Sequence, residues 1–347
     1  MKKKLFATIA LTLSTLTLAA CGPNNQTLIF SPNWEETIIG EAETASVEEL
    51  TYLVEHEESS FIQKDFYNVK YGKEKAGVYT TTLEYLTGGG YLYKTTLTID
   101  VTFILASGES VTKTDTVETE AKFKKAYNSL QPIYSKKVVH AHAPRDSEVT
   151  ALENKYDEEG KITQVGAFIE YDYEFFIEYD NDLSGGKLTK TDHSQYHTLG
   201  LKDDKKEILF SIDDEKYTYL DNEQYLFALR GISSEQLASA SKTVSMYNAS
   251  LMAMETVATT PSSAAKTKFT FQLNGGQATE YEIEYVPLTI KSSNKNAGLS
   301  QTLWYAKTTG NNSNQFRNVL LKMSVPMHFG LGTLQYKLQS ANFSSES

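Results

Sequence analysis

The chain has 347 residues, a formal charge of −11 and a composition that is 40% hydrophobic, with 22 Tyr and 16 Phe. The acidic balance argues against nucleic-acid binding by phosphate neutralisation, and seven Pro and 20 Gly are too few for a collagen-like or Pro/Gly-rich disordered chain. One cysteine excludes a disulfide within the chain, so stability must come from a hydrophobic core, and the length suffices for one or two.

The chain begins with Lys2, Lys3 and Lys4, then a 14-residue apolar run from Leu5 to Leu18, then Ala19, Ala20 and Cys21. A basic start, an apolar middle and small residues before a cut site make a secretory signal segment, and the run falls short of the roughly 20 residues of a membrane span. Leu18-Ala19-Ala20-Cys21 resembles the lipobox of bacterial lipoproteins. The resemblance implies a signal peptide over 1–20, cleavage before Cys21, and a diacylglyceryl group on that thiol. Two acyl chains give stable anchoring where one gives only marginal binding. The expected location is the extracytoplasmic face of the cell membrane, and Gly22 supplies no acidic mark for inner-membrane retention. Residues 21–26 read as a lipidated polar stalk. Loss of the three lysines takes the mature charge to about −14.

Residues 27–60 read as an N-terminal segment with a short amphipathic helix over Val47–Val54, capped by Ser46. An antiparallel β domain is expected over 61–340. A strand near Val78–Leu86 turns through Gly88-Gly89-Gly90 into one where Tyr91, Tyr93, Leu97, Ile99, Val101 and Phe103 alternate with Lys94, Thr96, Thr98, Asp100 and Thr102. Ser110–Phe123 continues as a more polar strand.

The cleanest alternation spans 165–180. Val165, Ala167, Ile169, Tyr171, Tyr173, Phe175, Ile177 and Tyr179 fall on one face, and Glu170, Asp172, Glu174, Glu178 and Asp180 on the other. At ~3.4 Å per residue this run extends about 54 Å, which implies a long, curved sheet. Strands follow near Glu207–Phe210 and Tyr217–Leu220. Asp221 then caps a short helix carrying Tyr225, Leu226, Leu229 and Ile232, and 235–266 reads as a looser crossing. Asn274-Gly275 between alternating apolar residues predicts a hairpin. A second hairpin joins Leu303–Thr308 to Phe316–Val325 across Gly310–Asn314, and Leu334, Tyr336 and Leu338 mark the closing strand. The fold class is mainly β: a large curved antiparallel sheet, half-barrel-like, with a few short helices.

The order of elements carries a further resemblance. An opening pair around Lys70–Gly77, the helical stretch Asp221–Arg230, the Trp304-Tyr305 strand and the Phe329–Leu334 turn are similar to exported bacterial proteins of unknown function built on one antiparallel sheet. More distantly, they resemble the curved half-barrel of LolA and LppX type lipid carriers. Such a half-barrel implies an apolar concave face that holds lipid.

Motifs for chemistry are sparse. His140-x-His142 places two imidazoles on one strand face, and His193 and His197 lie near Asp192, but no metalloprotease signature or cysteine ligand accompanies them. They read as exposed or locally hydrogen-bonded. Asp180–Gly185 begins like a calcium loop, yet Thr191 stands where the bidentate Glu belongs. No G-x-S-x-G elbow occurs, and Gly88–Gly90 lacks the Lys of a phosphate loop. No catalytic residue, metal or cofactor is expected, and the chain reads as non-enzymatic. The expected partners are the membrane, through the anchor, and a lipid or another cell-envelope component. The expected pocket wall is Tyr171, Tyr173, Phe175 and Ile177, with Tyr91, Ile99 and Phe103 facing them. The alternative is an envelope interaction or structural module that binds protein or glycan without a pocket.

Overall fold

Thr, Lys and Glu alternating with Tyr, Phe, Leu and Ile give strands that bury one face and wet the other, and this pattern builds most of the molecule. The computed structural model describes residues 47–60, 69–86, 89–126, 129–144, 155–159, 162–164, 166, 168–194, 205–212, 217–231, 241–293, 300–307, 319–327 and 331–344. The signal segment, Cys21, the stalk, Ser46, Val165, Ala167, His197 and the Gly310–Asn314 loop lie outside them. No helix among the described residues is long and apolar enough to cross a membrane.

The strands are β1 (Val47–Glu57), β2 (Val69–Tyr71), β3 (Gly77–Leu86), β4 (Gly90–Ile104), β5 (Ser110–Ala126), β6 (Ser129–Pro144), β7 (Lys155–Tyr156), β8 (Ile162–Gln164), β9 (Phe168–Tyr179), β10 (Gly185–Asp192), β11 (Lys205–Ser211) and β12 (Thr218–Tyr219). A single helical turn, α1 (Tyr225–Ala228), runs into a 3₁₀ turn over Leu229–Gly231. Then come β13 (Lys242–Asn248), β14 (Ala253–Pro261), β15 (Ala265–Leu273), β16 (Thr279–Ser292), β17 (Gln301–Ala306), β18 (Leu320–Met327) and β19 (Gly332–Ser344).

Seventeen strands join in one sheet, and β7–β8 pair separately. From β11 the sheet runs antiparallel through β10, β9, β6, β5, β4, β3 and β1 to β19. It continues through β18 and β17 to β16. There it divides, because β16 is 14 residues long and serves two neighbours on one edge. Its first half pairs with β15, which turns back parallel to β19 at Gln272↔Ser340 and Leu273↔Ala341, so β15–β19 close a five-stranded ring. Its second half pairs with β14, and the sheet goes on to β13 and the short parallel β12. Bulges at Thr51/Tyr52, Lys122/Phe123 and Trp304/Tyr305 add local twist where the sheet curls.

Two backbone positions need glycine. A Cβ on Gly77 would lie 2.0 Å from the Thr98 carbonyl oxygen, so only glycine lets β3 start this close to β4. Asn274 and Gly275 take φ of 48° and 71°, and the Gly276 amide donates to the Leu273 carbonyl at 2.9 Å. That is the turn an Asn-Gly pair favours, and it joins β15 to β16 as the sequence predicts.

Two expectations are corrected. Val47–Val54 is not a helix but most of β1, whose even-numbered residues are buried and whose edges pair with β3 and β19. Leu50 and Val54 match helical spacing as well as period two, and the set is decided by Glu48 turning inward, which only a distant partner permits. The sheet therefore begins before residue 61. The second correction is within 235–266, where β13 and β14 form an ordinary hairpin in place of a looser crossing.

Candidate functional site

The concave face of the sheet is where a lipid would have to sit, and residues 219–231 of the chain itself occupy it. Asp221 follows β12 and starts the insertion. Its Oδ1 accepts from the backbone amides of Glu223 (2.8 Å) and Gln224 (3.3 Å), which holds the turn ahead of α1, whose own N-cap, Gln224, makes no side-chain cap bond. Its Oδ2 accepts from Ser135 Oγ of β6 at 2.7 Å and from Tyr179 OH of β9. Burial holds the Asp221 carboxyl above the ordinary carboxylate range, against the hydrogen bonds from Tyr179 and Ser135 that lower it. Tyr179 and Tyr219 share a further hydroxyl contact at 2.9 Å.

The rest of the insertion is clamped from both halves of the sheet. Phe227 packs against Tyr93 of β4 and Phe123 of β5, each with ring centres 5.6 Å apart. Tyr305 OH of β17 donates to the Leu226 carbonyl at 2.8 Å, and Tyr225 OH meets Thr259 Oγ1 of β14. Arg230 forks onto Glu48 of β1, with Nη2 donating to Oε2 at 2.8 Å and Nη1 to Oε1. Both side chains of this pair are almost fully buried, at 4% and 1% exposure. Arg230 also lies over the Phe227 ring. Beyond the insertion the sheet edges come together, where Phe210 of β11 stacks on Tyr247 of β13 at 3.9 Å.

All seven expected wall residues do reach the interior face, but as packed core. Tyr91, Ile99, Phe103, Tyr171, Tyr173, Phe175 and Ile177 are each 5% exposed or less. Tyr91 stacks on Phe123, Phe103 lies against Phe168, and Tyr173 against Phe175. β4 and β9 are separated by β5 and β6 in one sheet, and Phe103 of β4 reaches Phe168 of β9 across its curl, with ring centres 5.6 Å apart. One gap, between Tyr79, Leu97, Val117, Leu226, Met323 and Tyr336, is about 40 Å³. A second, near Phe175, Ile177 and Asp221, is about 20 Å³. A dry cavity that takes benzene is about 150 Å³, several times either of these two spaces, so neither admits an acyl chain.

The other sequence candidates scatter. Asp180–Gly185 is a tight hairpin turn in which Asp182 Oδ1 accepts from the Ser184 amide and hydroxyl at 3.1 and 2.7 Å. Asp192 turns to Ser194, with the Ser194 amide donating to it at 3.0 Å, and not to His193. His142 Nδ1 lies 2.8 Å from Asp115 Oδ1, and His140 Nε2 lies 3.6 Å from Glu170 Oε1. The sequence reading missed Asp115 and Glu170 as partners of these histidines. Asp115 left a signal: it shares the inward register of Val117, Ala121 and Phe123. Lys190 of β10 was also missed. It sits 4.7 Å from the Phe175 ring centre, and burial pulls its amine down to about 8.

No family model matches the chain, and no curated protein matches it. Among solved structures it is similar to a β-barrel-like protein of a domain of unknown function from Brucella abortus, at 7% identity and a TM-score of 0.45, over 87% of this chain and 100% of that one.

Proposed function

We propose that this protein is a non-enzymatic, lipid-anchored module of the bacterial cell envelope that acts from its outer surface, as an interaction or structural element, and not as a carrier with an internal lipid site. The tether is read from Leu18–Cys21. One observation carries the choice between the two readings: the concave face that a lipid carrier keeps for its cargo is filled by residues 219–231, which are fixed by hydrogen bonds and an ion pair to β1, β6, β9 and β17. Aromatic residues that would line a carrier's pocket contribute here as core.

The test is the mass of the protein recovered from membranes, measured denatured and native. Denatured, the chain should begin at Cys21 and carry a diacylglyceryl mass, and a Cys21→Ser variant should leave the membrane fraction. Native, the protein should show no further stoichiometric lipid. A discrete lipid adduct that is released on denaturation would restore the carrier reading and require the 219–231 segment to withdraw.

A further inference from the structure

We propose that His140, His142 and Glu170 form a zinc site at the corner where β5, β6 and β9 meet. The three side chains come together because β6 and β9 pair with His142 opposite Glu170, and His140 stands two residues along the same strand. One potential ligand atom from each lies within 4.8 Å of the others. A tetrahedral zinc with ligands at 2.0–2.2 Å needs its donors about 3.3–3.5 Å apart. Rotations of His140 and Glu170, whose side chains are 38% and 53% exposed, close that gap.

The third donor is already positioned. His142 is buried, at 4% exposure, and its Nδ1 faces Asp115 Oδ1 at 2.8 Å. A carboxylate at Nδ1 fixes the proton on that nitrogen and leaves the Nε2 lone pair as the ligand, which is the usual support behind a metal-bound histidine. Asp115 is held in turn by the His142 backbone amide, which donates to the same oxygen at 3.0 Å. Phe168 packs edge-on against the His142 ring and restricts its rotation. Two imidazoles and one carboxylate are a donor set zinc accepts, and three protein ligands leave a fourth position for water or an anionic group.

The test is zinc titration of the full-length protein in detergent, followed by calorimetry and, with cobalt in place of zinc, by visible absorption. The expected result is one zinc per chain and a tetrahedral cobalt spectrum. His140→Gln and Glu170→Gln, both at half-exposed positions, should keep the wild-type circular dichroism and weaken binding at least tenfold. Asp115→Asn should weaken it roughly 10–100-fold. Wild-type protein that binds no more zinc than the His140→Gln/Glu170→Gln double variant would overturn the site. So would a cobalt spectrum that the double variant leaves unchanged.

Discussion

Two acid–base clusters in this molecule use similar side chains and reach opposite outcomes. Glu48–Arg230 is almost fully buried between β1 and the insertion, with Arg230 over the Phe227 ring. His140–Glu170 sits on a corner with both side chains half in solvent. In the first, the charges are desolvated and every polar atom must be met by the chain itself, so the pair serves to fix one packing. In the second, both side chains reach solvent, the pair contributes little to folding, and the donors remain available to an external ligand. Burial, more than residue type, separates a structural pair from a candidate site.

The largest effect that would break this contrast is at Arg230. Arg230→Met leaves Glu48 buried without a partner and should cost about 3–5 kcal/mol in urea unfolding. The Glu48→Leu/Arg230→Met double variant should recover most of the loss, and failure to recover would mean that Arg230 acts through packing on Phe227 and not through its charge.

A smaller effect is expected at Asp221. Asp221→Asn puts an amide in place of the acceptor that Ser135 and Tyr179 donate to and should cost about 1–3 kcal/mol at low pH, where the carboxyl contributes in full. The pH profile sharpens the point. The folded carboxyl is held above its unfolded value by burial, so its contribution to stability is fully present below the unfolded carboxylate pKa and is lost as pH rises through the folded one. The wild type should therefore show this loss and the Asn variant should not. An identical slope in both would show that Asp221 titrates normally.

The smallest effect is expected at His140. In metal-free buffer His140→Gln should change stability by no more than about 0.5 kcal/mol, as an exposed substitution away from the core. A large loss would place His140 with Arg230 as a structural residue and weaken its candidacy as a ligand.

Much of the sheet was legible. The alternation of Tyr91–Phe103 and of Tyr171–Tyr179 gave strands with the correct inward face, and Asn274-Gly275 gave its hairpin. Asp221 reads in the sequence as a helix cap, but the helix starts three residues later behind Gln224, and Asp221 instead holds the turn before it. The failures share one cause. Glu48 in β1 made Val47–Val54 look helical, since an inward charge breaks a period-two pattern unless its partner is known, and that partner is 182 positions away. The proposed zinc donors are legible only in part: His140 and His142 stand together in the sequence, but Glu170 joins them only through the β6–β9 register and Asp115 only through an inward turn from β5.

Local chemistry in the sequence determined most of the strands, their inward faces and the Asn274-Gly275 turn, because each depends on neighbours a few residues apart, while β1, β13 and β14 escaped it. Tertiary structure alone decided whether the aromatic face was a pocket or a core. That depended on where a single turn of helix, residues 225–228, was placed, and its position is fixed by contacts to seven strands that come together only when the sheet curls.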